Sequence, residues 1–129
     1  MQMNLNKVYL SNSRKLSSVL NQWGEMLGVE VILQDGSDKL DLDELDGLVV
    51  LTEGLDVEKA DQELINEFDS RRIPVRKIDL NGTIQVAVNG LDLWLKNNKC
   101  TRISISGSDN LIQNDNLNRF LNRILEISN

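Results

Sequence analysis

The sequence contains no histidine, and this narrows its chemistry at once. A Ser-His-Asp or Cys-His mechanism is excluded within one chain, as is any metal site that needs an imidazole. Four other features could carry chemistry. Ser11-Asn12-Ser13-Arg14 combines hydroxyls, an amide and a guanidinium in one turn, a set that can hold an anion where backbone N–H groups open a helix. Thr52-Glu53-Gly54 and Ser106-Gly107-Ser108 are short polar turns, each after an apolar run, and Thr52, Gly54, Ser106, Gly107 and Ser108 complete the expected ligand-binding set. Glu63 is a carboxylate able to steady a ribose, or to act as acid, base or nucleophile. Cys100 precedes a strand rather than following one and has no anion loop beside it, so it reads as a structural thiol.

Two further constellations are incomplete. Asp35-Gly36-Ser37-Asp38 begins like a calcium loop, but Lys39 and Leu40 stand where a ligand and a glycine would be needed. Leu10-Ser11-Asn12 lacks the acidic cluster that a receiver domain carries after its first strand. No metal site is expected, and the residues name no cofactor.

The elements that position these groups can be read from hydrophobic period. Lys7–Ser11 reads as a strand, and Leu16, Val19, Leu20, Trp23 and Leu27 mark a helix that stops at Gly28. Val29–Leu33 is a second strand, and Gln34–Asp46 an acidic loop with one helical turn around Leu42–Leu45. Leu48-Val49-Val50-Leu51 is apolar on successive residues, as in a strand covered on both faces. Asp56 is placed to cap a helix reaching Arg71, with Val57, Ala60, Leu64, Ile65 and Phe68 as its stripe. Ile73–Leu80 forms a fourth strand, in which Arg76 and Lys77 point to opposite faces and at least one basic stem must meet a helix layer. Asn81-Gly82 is a turn, after which Thr83 opens a helix carrying Val86, Ala87, Leu91, Trp94 and Leu95. Arg102–Ser106 alternates isoleucine with serine and reads as an edge strand, and a last helix from Asn114 or Asp115 buries Leu117, Phe120, Leu121, Ile124 and Leu125.

This strand-helix alternation predicts a single α/β domain over residues 1–129, a three-layer, doubly wound, five-stranded and mainly parallel sheet of the Rossmann or flavodoxin type. Its simplest strand order is 2-1-3-4-5, which places a ligand at the C-terminal strand ends, beside strands one and three. Against flavodoxins, the first loop has Arg14 where a glycine is expected and no flanking aromatics follow strand three, so flavin is not expected.

Composition bounds the partners. With 40% apolar and 26% charged residues the chain is an ordinary globular one. Its net charge of −6 opposes a phosphate backbone, and about fourteen of the twenty acids fall between Glu30 and Asp69 against Lys39 and Lys59. Neither nucleic acid nor membrane is an expected partner. The first residues carry no basic cluster and no long apolar run, and a cytoplasmic location is the default. A homo-oligomer is left open.

Several segments together resemble a known group. Asp46-Gly47-Leu48-Val49-Val50-Leu51-Thr52-Glu53-Gly54, Ile73-Pro74-Val75-Arg76-Lys77-Ile78-Asp79-Leu80, Leu93-Trp94-Leu95 and Arg102-Ile103-Ser104-Ile105-Ser106-Gly107-Ser108 follow the layout of the molybdenum-carrier-like proteins. These belong with the lysine-decarboxylase-like phosphoribohydrolases in a Rossmann-like (SLOG-type) group. The resemblance covers roughly the last two-thirds of the chain and implies a nucleotide or nucleoside crevice. Its glycine-rich first loop is replaced here by Ser11-Asn12-Ser13-Arg14, and its Gly-Gly-Thr segment by Asp56-Val57-Glu58-Lys59-Ala60. Glu63 falls where the phosphoribohydrolases carry a catalytic glutamate. Toll/interleukin-receptor-like and nucleoside deoxyribosyltransferase-like domains are similar over strand three and the helix after it. Three functions follow as expectations: binding of a nucleotide-type or other phosphate-bearing ligand without catalysis, an N-glycosidic enzyme acting on a nucleoside or NAD through Glu63, and an acidic protein-interaction module with no small-molecule site.

Overall fold

The computed structural model describes residues 3–11, 14–34 and 42–128. Five strands, β1 (Lys7–Ser11), β2 (Glu30–Gln34), β3 (Gly47–Thr52), β4 (Val75–Asp79) and β5 (Arg102–Gly107), alternate with four helices, α1 (Leu16–Leu27), α2 (Lys59–Ser70), α3 (Ile84–Asn97) and α4 (Asp115–Ser128). All strand pairs are parallel. The expected helical turn between β2 and β3 is a 3-10 turn at Leu42–Glu44.

Local signals explain most element ends. Gly28 takes the left-handed conformation, φ 85°, and its N–H reaches back to the Gly24 and Glu25 carbonyls, so α1 stops there. Asn114 accepts a hydrogen bond from the N–H of Asn116 and opens α4. Thr83 is the residue before α3, although its side chain makes no capping bond. Helix α2 begins later than expected: Glu58, not Asp56, flanks its first turn. Arg76 lays its guanidinium over α3, where a Cβ on Gly90 would come within 2.5 Å of Nη2, whereas Lys77 is exposed. One basic stem does meet the helix layer.

The strand order is 2-1-5-3-4, not 2-1-3-4-5. Strand β5 is therefore interior: it pairs with β1 through Lys7 and Arg102 and with β3 through Gly47 and Ile103. Its serines suggested an edge because they alternate with isoleucine. Their hydroxyls are instead used inside the protein, Ser104 donating to the Tyr9 carbonyl at 3.2 Å and Ser106 donating to the Asp61 carboxylate. Small hydroxyl side chains let a layer settle on this face while giving each polar atom a partner.

The order distributes the helices unequally. Helices α1, α3 and α4 share one core with Val8, Leu10, Ile103 and Ile105. Trp23 ties α1 to α4 by donating to the Leu121 carbonyl at 3.1 Å. On the other face, Ile65 and Phe68 of α2 pack with Leu42 and Leu45 against Tyr9, Leu48 and Val50. A right-handed crossover from β4 back to β5 runs opposite in direction to that from β3 to β4, so α3 and α2 lie on opposite faces.

Asp46 anchors the inserted strand. Its Oδ2 accepts from the Thr101 N–H at 3.0 Å, the Thr101 hydroxyl at 3.2 Å and the Arg102 N–H at 3.0 Å, and its Oδ1 meets Arg102 Nη2 at 3.3 Å. The Thr101 carbonyl accepts from Asn6 and Lys7 on the opposite side. Burial raises the Asp46 pKa, but the hydrogen bonds from Thr101 and Arg102 outweigh it and hold the carboxyl below its ordinary value. A carboxyl lowered in the folded state stabilises it above the unfolded pKa of about 3.9, and that contribution disappears as pH falls through the folded value. Asp46→Asn should lower the urea-unfolding free energy at pH 7 by about 1–3 kcal/mol. The gap between variant and native protein should narrow steadily below pH 4; a gap constant with pH would mean that the charge is not what holds the strand.

Candidate functional site: a crevice between the ends of β3 and β5

Neighbouring strands β3 and β5 send their following segments to opposite faces, into α2 and towards α4. Such a divergence leaves a gap at the C-terminal strand ends, the usual ligand position in open α/β sheets. A cavity of about 280 Å³ occupies it. Leu51, Val57 and Leu111 supply apolar wall, and Thr52, Ser108 and Asn110 supply polar edges. The remaining lining residues are acids: Glu53, Asp56, Glu58 and Asp61.

Asp61 is the fixed group. Its side chain is 3% exposed. Oδ1 accepts from Arg14 Nη2 at 3.2 Å and from the Ser106 hydroxyl. Arg14 also donates to the Gly107 carbonyl at 2.6 Å and stands 3.5 Å from Glu58. One guanidinium thus joins the segment before α1, the end of β5 and the start of α2. A buried carboxylate needs such partners, because an unpaired charge there would be costly.

The first helix finds its anion within the chain. The Leu16 N–H, at the opening of α1, donates to Asp109 Oδ1 at 3.1 Å. Asp109 lies just beyond β5, so the insertion of β5 beside β1 delivers this carboxylate to the helix end. The turn after β3 is fixed in a similar way: Gly54, with φ 77°, donates its N–H to Asp79 Oδ1 at 2.8 Å, and the Thr52 hydroxyl donates to the Gly54 carbonyl at 2.8 Å.

Several expected site residues converge here. Arg14, Ser106 and Gly107 form the wall that holds Asp61, while Thr52 and Ser108 line the cavity. Gly54 sits at the turn above β3. Ser11 ends β1; Asn12 and Ser13 lie outside the described residues. Glu63 is exposed and does not line the cavity. The carboxylate that α2 brings to the crevice is Asp61. The sequence carries a signal for it: Asp61, Ile65 and Phe68 follow the i, i+4, i+7 spacing of a buried stripe, so a carboxylate there must face inward. Asp109 and Glu58 have no comparable signal, since their roles depend on which strand lies beside β1.

Cys100 is buried away from this site, and its thiol donates to the Asp46 carbonyl at 3.3 Å. Burial, followed by the Asp46 charge, pushes its pKa up to about 11, as suits a structural thiol. Among the described residues no cluster of acids or cysteine is arranged to hold a metal ion, and no helix is long and apolar enough to cross a membrane.

No family model matches the chain, and no curated protein sequence matches it. Its architecture does have a counterpart, a crystal structure described as a "Putative molybdenum carrier protein" from Syntrophus aciditrophicus SB. The superposition covers 99% of this chain and 97% of the other, with a TM-score of 0.73 at 11% sequence identity. The two chains share one fold. The resemblance read from the later segments thus extends, as architecture, over nearly the whole chain.

Because Arg14 neutralises Asp61 inside the wall, its removal should cost stability. Arg14→Ala is expected to lower the unfolding free energy by about 2–4 kcal/mol, the scale of stranding a buried carboxylate. Adding Asp61→Ala to that variant should restore part of the loss, and strictly additive losses in a double-mutant cycle would show that the pair is not coupled.

Proposed function

We propose that the protein binds a small nucleoside-type ligand in the β3–β5 crevice, with ribose hydroxyls and base N–H groups directed at its acids. The carrying observation is the chemistry of the wall. Glu53, Asp56, Glu58 and Asp61 offer acceptors, and Arg14, the cation beside them, is already joined to Asp61, Glu58 and the Gly107 carbonyl. A donor-rich ligand matches such a wall, whereas a phosphate offers acceptors and negative charge.

This departs from the phosphate-bearing ligand expected from sequence. The N–H at the start of α1 meets the Asp109 carboxylate, so a phosphate there would displace a protein anion as well as approach further acids. Half-buried Val57, over the almost fully buried Leu51 and Leu111, offers apolar surface for the flat face of a base. Shared architecture with a carrier protein is compatible with binding and carries no chemistry of its own.

Thermal unfolding with added adenosine, adenosine 5′-monophosphate or inorganic phosphate tests the reading. Adenosine should raise the melting temperature more than the monophosphate, and phosphate alone should leave it unchanged. Saturation at about 100 times the dissociation constant corresponds to about 2.7 kcal/mol of added stability. Absence of any response to adenosine, or a stronger response to the monophosphate, would refute the assignment.

A further inference from the structure

The sequence pairs asparagine with glycine twice, at Asn81-Gly82 and Asn89-Gly90, and the structure gives the two pairs different settings. Asn81 and Gly82 are both exposed in the turn between β4 and α3. Turns of this composition use glycine for a positive φ, yet Gly82 has none, and a Cβ on it would stand an ordinary 3.5 Å from the Asp79 carbonyl. The backbone therefore does not require glycine here. The Gly82 N–H donates to the Asp79 carbonyl at 3.2 Å, a bond at the surface of the turn. Beside it, Asn81 Oδ1 accepts from Asn114 Nδ2 at 3.1 Å, while Asn81 Nδ2 donates to no group among the described residues. Asn89 Oδ1 accepts in the same way from Gln85 Nε2 at 2.9 Å, but Gly90 lies inside α3, where its N–H belongs to the helical ladder.

We propose that Asn81 is a site of spontaneous deamidation, a modification that the fold leaves open to this pair and closes to the other. The Gly82 nitrogen attacks Asn81 Cγ and forms a cyclic succinimide; the Cγ–Nδ2 bond breaks, and ammonia leaves with the proton given up by the Gly82 nitrogen. Water then adds to either ring carbonyl and leaves aspartate or isoaspartate. The Asn114 donor steadies the charge that develops on Asn81 Oδ1, and the missing side chain of Gly82 leaves its nitrogen accessible. Attack by the Gly90 nitrogen would require α3 to open, which costs more than opening one exposed turn. The modified turn is joined to the crevice. Asp79 Oδ1 accepts from the Asn81 N–H at 2.9 Å and from the Gly54 N–H, and Asn114 Nδ2 also reaches Glu53 at 3.4 Å. Conversion adds a carboxylate beside these acids, and the isoaspartate form adds a methylene to the backbone that links β4 to α3.

Trypsin releases both asparagines in a single peptide, Ile78 to Lys96, so fragmentation mass spectrometry after incubation in mildly alkaline buffer compares them directly. In the folded protein Asn81 should convert at least about tenfold faster than Asn89. Unfolded in guanidinium chloride, the two identical pairs should convert at similar rates. Gly82→Ala fits the space beside Asp79 and should leave the melting temperature close to that of the native protein, while slowing conversion of Asn81 at least about tenfold. Equal rates at the two sites in the folded protein, or an Asn81 that stays unmodified there while the unfolded chain converts, would overturn the proposal. So would an equally large preference for Asn81 in the unfolded chain, or undiminished conversion in Gly82→Ala.

Discussion

The insertion of β5 between β1 and β3 is the constraint on which the other features depend. Asp46 holds the start of that strand on the β3 side, through four hydrogen bonds to Thr101 and Arg102, while Asn6 and Lys7 hold it on the β1 side. With β5 in this position its far end lies between the first loop and α2. Gly107 can then accept from Arg14, Ser106 can reach Asp61, and Asp109 can meet the opening of α1. A β5 at the sheet edge would make none of these contacts. The gap between β3 and β5 also arises from this order, because it places side by side two strands whose following helices leave towards opposite faces.

The electrostatics of the crevice follow from the same arrangement. A cation and two anions delivered from distant parts of the sequence, Arg14, Asp61 and Asp109, are used to tie loops together. What remains for a ligand is a wall rich in acceptors. Arg14, Thr52, Gly54 and Ser106, which looked like anion holders, are committed to bonds within the protein, and this is why the proposed charge preference differs from that expected from the motifs.

The sequence revealed elements more fully than their order. Period-3.6 stripes located the four helices of the described residues, while a continuous apolar run at β3, the isoleucine-serine alternation of β5 and short β-rich runs elsewhere located the strands, because burial imprints directly on residue type. Strand order was less visible. It turned on Ser104 and Ser106, whose hydroxyls meet the Tyr9 carbonyl and Asp61 inside the molecule, yet would look the same facing water. The convergence of the three turns was legible from the general rule for α/β sheets, and Arg14 does lie beside Gly107. Its salt partners were not legible, since a pairing between residues 14 and 61 leaves no local trace. Asp61 was the missed clue: it is a carboxylate at an inward position of an amphipathic helix, a conflict with the apolar stripe that marks a paired or ligand-facing group.

A nucleoside-type ligand bound as proposed between β3 and β5 would lie against the acidic wall, over Val57, Leu51 and Leu111. A methyl-labelled NMR spectrum titrated with adenosine tests it most directly. Binding in this crevice should shift the methyl signals of Leu51, Val57 and Leu111 progressively, with Leu95 at the other end of the sheet unmoved. Shifts confined to other surfaces, or an unchanged spectrum at millimolar adenosine, would contradict it.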